Sequence, residues 1–199
     1  QGAKVSGTWL QSTQQIVGDL LDRAGVTAYT RAFNSLPTGT IGMYLTATET
    51  LGSILNKLMQ GCAGYWLLDR TGVLTFAQYP LPSTATVVYD EKSLLDRVQI
   101  DETDRLYSAV KYQYRTNWTT QTQVRPAATA AQAAFAASAG LLGSTTLTPV
   151  AEYTYTDSPL LVTYFDSGAD AATAAGRMQT LYGIPRKIIT TTVPYSATL

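Results

Sequence analysis

Apolar and polar positions alternate most cleanly between residues 106 and 118, LYSAVKYQYRTNW. Leu106, Val110, Tyr112, Tyr114 and Trp118 fall on one side of the alternation, and Lys111, Gln113, Arg115 and Asn117 on the other. A period of two over such a length predicts a half-buried strand with one wet face. We take it as the spine of a sheet. A helical period appears in three places. Ile16, Val17, Leu20, Leu21 and Ala24 share a face after Ser12 or Thr13, either of which can cap, and Gly25 stops that helix. Leu51, Ile54, Leu55, Leu58 and Met59 form an i, i+3, i+4, i+7, i+8 stripe over 48–60, with Thr46–Glu49 at capping-box spacing and Thr48 competing as the cap. Ala171, Ala174, Ala175, Met178, Leu181 and Tyr182 share a third face, capped by Asp166 or Ser167. Its small residues predict close approach to a sheet.

Turn chemistry joins these pieces. Residues 65–68 and 73–79 read as strands around Asp69-Arg70-Thr71-Gly72, whose terminal Asp and Gly favour a tight hairpin. Pro80 and Pro82 break the chain after it. Further strands are expected at 5–10, 41–45, 87–89, 97–100, 152–155, 160–165 and 186–195. Residues 26–40 read as irregular, 90–95 as a short turn or helix and 101–105 as a polar turn. An Ala-rich segment follows Pro126, with Phe135, Leu141 and Leu142 as its large anchors. It predicts a lightly packed helix over 126–140, or an ordered insertion that needs a partner. The pattern predicts an α+β fold. Residues 1–86 form a small α/β domain, a helix packed on an antiparallel hairpin. Residues 87–199 form a barrel-like antiparallel β domain with a packed helix and an Ala-rich insert at 126–143.

Composition narrows the chemistry. Charged residues are 14% of the 199, against about 25% in an ordinary soluble domain, and the formal net charge is zero. Such a chain offers no bulk field to steer nucleic acid or an anionic membrane. Its low charge favours assembly with other subunits. No apolar run approaches the ~20 residues of a membrane span. The sequence contains no His, which removes Ser-His-Asp and Cys-His catalysis and His-based metal sites. Cys62 is the only cysteine; it reads as a small buried hydrophobe and excludes an internal disulfide.

Two constellations remain. Asp90, Glu91, Asp96, Asp101, Glu102 and Asp104 are the densest acidic group, the raw material for a carboxylate hydrolase or a calcium loop. Interleaved Lys92, Arg97 and Arg105 favour solvated turns instead. The aromatic face of Tyr112, Tyr114 and Trp118, with Tyr153, Tyr155, Tyr164 and Phe165 on later strands, is a possible interaction surface. It would suit sugar or base stacking, and equally a Tyr-rich core or subunit contact. No catalytic, cofactor-binding or metal-ligating residues are expected.

Residues 50–76 (TLGSILNKLMQGCAGYWLLDRTGVLTF) and 169–195 (ADAATAAGRMQTLYGIPRKIITTTVPY), with LLDRVQI (94–100) and the spine strand between them, resemble the central hub or tail-tip protein of tailed bacteriophages. The hub half of type VI secretion spike proteins is similar. The resemblance implies a structural virion protein located in the tail and made in the host cytoplasm. It implies a homotrimer in the full-length assembly, part of a ring that closes the tail tube. Implied partners are the tail tube or distal tail protein, the tape measure, and a fibre or spike. No enzyme activity, cofactor, membrane span or sequence-specific nucleic acid is implied. A start at Gln1 and a stop at Leu199, before the Gly-Asp turn that often follows in this family, are expected of a fragment. The alternative reading is a carbohydrate- or receptor-binding module; an Asp/Glu hydrolase is a third.

Overall fold

The computed structural model describes residues 4, 5, 8–45, 47–81, 97–102, 106–146, 156–185 and 187–192. The fold is α+β, as the pattern predicts. Four helices accompany two three-stranded sheets and three two-stranded ladders among these residues. The chain opens with a minimal antiparallel pair, β1 (Lys4–Val5) and β2 (Thr8–Trp9). Helix α1 (Thr13–Arg23) follows. Ser12 accepts from the Gln15 amide while Gln15 reaches back to the Ser12 amide, a full capping box that resolves the choice of cap. Val17 and Leu21 are buried, and Asp19 pairs with Arg23 across the exposed side.

The first three-stranded sheet runs β3 (Thr30–Asn34), β5 (Val73–Gln78), β4 (Gly64–Leu68). The β4–β5 hairpin matches expectation. Asp69 Oδ1 accepts from the amides of Thr71 and Val73, and Gly72 takes a positive φ of 81° that closes the turn. Strand β3 corrects the irregular reading of 26–40: it lies parallel to β5, with Phe33 opposite Phe76. Phe33, Phe76 and Trp66 stand in register across the sheet, with neighbouring ring centres 5.4 and 6.5 Å apart. Helix α2 (Leu51–Gly61) contributes Ile54, Leu55, Leu58 and Met59 to the core. Its cap is Thr50, neither Thr46 nor Thr48; Glu49 instead holds Lys57 and Ser53. Residues 41–45 are not a strand: only Ile41 bridges, to Phe165.

The second sheet runs β11 (Leu160–Val162), β8 (Ala109–Tyr114), β9 (Leu141–Thr146). β8 pairs antiparallel with β9 and parallel with β11. Among the described residues, neither three-stranded sheet closes on itself. The expected barrel-like antiparallel domain is therefore corrected to an open, mixed sheet. The spine is also shorter than 106–118. Leu106–Tyr107 form β7, parallel to β10 (Thr156–Asp157). Ser108–Val110 then oppose only Ser158–Pro159, an extra residue that bulges the strand. Arg115 ends it with φ 48°.

Between β8 and β9 stands α3 (Ala130–Ala137), capped by Thr129 and Gln132, four residues later than a start at Pro126 would give. Leu141 and Leu142, expected as anchors of a helix, begin a strand. The last helix, α4 (Gly168–Tyr182), is capped by Ser167, with Asp170 in its first turn. Ala171, Ala174 and Ala175 are buried against the β8–β9 hairpin. Finally β12 (Lys187–Thr190) pairs antiparallel with β6 (Gln99–Glu102). The expected strands at 87–89 and 152–155 lie outside the described residues. So do the turn or helix at 90–95 and residues 103–105. One apolar cluster joins Val17, Leu58 and Phe76 to Val110, Leu161 and Ala175, so it draws on both sides of position 86.

Candidate interaction surfaces

The two faces of the β11–β8–β9 sheet differ sharply. Residues opposite one another in neighbouring strands share a face. On the inner face Leu161, Tyr112 and Gly143 stand in one row. Gly143 is required there: a Cβ would fall 2.3 Å from the Tyr112 ring. On the outer face Val162, Gln113 and Leu142 make one row, and Leu160, Lys111 and Ser144 the next. Three of these are apolar and uncovered: Leu142 is 71% exposed, Leu160 51% and Val162 43%. Among the described residues, β9 and β11 pair with β8 alone, and Gly61 at the end of α2 lies against the Val162 carbonyl on the β11 flank.

The aromatic residues singled out from the sequence divide. Tyr112 and Tyr114 are half-buried and pack against the core, their ring centres 6.1 Å apart; the Tyr114 ring lies beside Gly168 at the start of α4. Trp118, beyond the turn at Arg115, stacks on Tyr164 at 5.8 Å with the rings almost parallel. Burial raises the Tyr164 phenol above its ordinary range. The structure thus separates Trp118 from the strand that carries the two tyrosines. Asn117 donates to the carbonyls of Phe135, Ala136 and Ser138, tying the C-terminal end of α3 to the end of the spine. Arg115 pairs with Asp166 at 3.0 Å on the surface.

A groove of about 550 Å³ lies between α1 and the extended residues 41–45, lined by Leu10, Ile16, Leu20, Met43 and Leu45. Of the acidic group, Asp90, Glu91, Asp96 and Asp104 lie outside the described residues, and Asp101 accepts from Gln99 in β6. Cys62 is buried 3.6 Å from the Thr13 hydroxyl, and burial pushes its thiol up to about 11. A thiol so protonated is a packing group at neutral pH. Among the described residues, no helix is long and apolar enough to cross a membrane.

No protein-family model matches the chain. No curated protein matches it either. Among solved structures, the chain is similar to the tail protein from Neisseria meningitidis MC58, with a TM-score of 0.45 and 15% identity. The match covers 82% of this chain and 45% of that one, so the chain spans less than half the length of the protein it matches. Sequence reading missed β3, β9, β10 and the outward apolar rows. Only the last had a signal, Leu160 and Val162 at alternate positions, and their face depends on pairings that the sequence does not mark.

Proposed function

We propose that this chain is a structural part of a phage tail tip or baseplate hub, contributing to a ring that closes the tail tube and docks other tail proteins. In this reading the full-length protein is a homotrimer in the virion tail, without enzymatic activity. The tail tube or distal tail protein, the tape measure and a fibre or spike are its neighbours. The observation that carries the reading is the outward face of the β11–β8–β9 sheet. Leu142, Leu160 and Val162 stand uncovered there, on a chain of zero net charge. Covering such a surface with another subunit removes apolar area from water at ~25 cal/mol per Å², and closed symmetry lets one patch serve every copy. The groove beside α1 offers a second docking site. Light scattering on the longer parent protein tests the reading: a mass three times that of one chain supports it. A parent that stays monomeric and never joins tail proteins counts against it.

A further inference from the structure

A second cleft, of about 340 Å³, lies along the free edge of β4, between α2 and the last turns of α4. It is lined by the aromatic residues Tyr65, Trp66, Tyr79 and Tyr182, by Asn56 and Gln60 of α2, and by Met59 and Met178. No Asp, Glu, Lys or Arg lines it. The rings are held by contacts that need no ligand. Asn56 Oδ1 accepts from Trp66 Nε1 at 2.7 Å. Tyr65 rests on Tyr79 with ring centres 5.5 Å apart, and Tyr182 on Tyr107 at 5.0 Å. Arg177, on α4, donates through Nε to the Tyr79 carbonyl at 3.0 Å, fixing the backbone of that wall.

The β4 edge adds main-chain groups. The Tyr79 amide donates to the Ala63 carbonyl, and Tyr65 lies opposite Ala77. In this antiparallel ladder the alternate residues Gly64 and Trp66 therefore turn their N–H and C=O groups away from β5, towards the cleft. Among the described residues, no strand pairs with that edge.

Aromatic faces, uncharged amides and free backbone groups are complementary to one ligand chemistry in particular. A sugar ring presents a C–H face that stacks on aromatic rings and a rim of hydroxyls that both donate and accept hydrogen bonds. An anionic ligand finds no counter-charge among the lining residues, and its desolvation is uncompensated. The volume falls at the lower end of the roughly 300–1,000 Å³ typical of small-molecule sites. We infer that this cleft binds a short neutral saccharide, stacked between Tyr79 and Tyr182 and hydrogen-bonded by Asn56, Gln60 and the β4 edge. The inference is independent of the tail reading, since its residues are not those of the outward sheet face.

The test is saturation-transfer NMR on the 199-residue chain, with chitotetraose, cellotetraose and maltotetraose as neutral probes and sialyllactose as the anionic one. A neutral glycan array extends the panel. Saturation transfer to at least one neutral probe is expected, and none to sialyllactose. Gln60→Ala and Tyr79→Ala, both at exposed positions, are each expected to weaken binding about tenfold with the far-UV circular dichroism unchanged. Leu142→Ser, on the opposite sheet, is expected to leave binding intact. The inference is overturned if no neutral saccharide binds at about 10 mM, if both cleft variants bind as well as the parent, or if an extended peptide occupies the β4 edge while saccharides do not.

Discussion

The two hairpins at the centre of this molecule are covered by helices in opposite ways. Over β4–β5, α2 presents Ile54, Leu55, Leu58 and Met59, large side chains that fill the space between helix and sheet. Over β8–β9, α4 presents Ala171, Ala174 and Ala175, and the sheet supplies the bulk through Tyr112, Tyr114 and Val110. The first hairpin turns in four residues at Asp69–Gly72; the second opens into a loop that carries α3 before the chain returns. The contrast shows two routes to a buried interior. Where the helix is bulky, stability depends on volume present. Where the helix is small, it depends on volume absent.

That asymmetry is tested most severely by opposite substitutions. Leu58→Ala, at a site with 0% exposure, is expected to cost about 3 kcal/mol of unfolding free energy in a urea titration, the transfer loss plus the cavity left behind. In the other region the damaging change runs the other way. Ala175→Leu is expected to cost roughly 2–3 kcal/mol by forcing α4 off the sheet, while Leu58→Met costs under about 1.5 kcal/mol. If the enlargement at Ala175 were silent, the close approach of α4 would be wrong.

In the first region a pH dependence rests on Cys62. The Cys62 thiol is raised from 9.0 to about 11 by burial, outweighing the contact with Thr13. Because the folded pKa lies above the unfolded one, the contribution is complete below pH 9.0 and is lost as pH rises towards 11. Denaturation at pH 8 and near the upper end is expected to differ by about 2–3 kcal/mol from this group, and Cys62→Ala is expected to flatten that slope. The second region has a latch instead. Asn117→Ala removes the donor to the carbonyls at the end of α3 and is expected to cost about 1–2 kcal/mol, with amide exchange rising in α3 before β8. Thr129→Ala, which removes the α3 cap, is the mildest, at about 0.5–1 kcal/mol.

The same contrast explains what could be read from the residues. The β4–β5 hairpin was legible because every determinant is local: alternation, an Asp-to-Gly turn and an adjacent helical stripe. α1, α2 and α4 were legible for the same reason, apart from the Thr50 cap, which competes with two nearby threonines. β3 was not, because TRAFN gains its partner only when β5 arrives some forty positions later, in parallel. β9 was hidden behind the alanines of the insert, and its Gly143 has meaning only beside Tyr112. Arg115 adopts a left-handed backbone without a glycine to announce it, so the spine looked longer than it is. The barrel expectation failed because closure depends on which edges meet, and alternation carries no such information. Of the candidate surface, Tyr112, Tyr114 and Trp118 were marked by period alone, which cannot say which face of the sheet a helix will cover.

The central claim is that the outward face of the β11–β8–β9 sheet is a contact between subunits. An electron-microscopy map of the parent assembly tests it most directly. The account predicts a three-fold ring with Leu142, Leu160 and Val162 buried at a protein contact. A map in which those residues face solvent in every copy would contradict it.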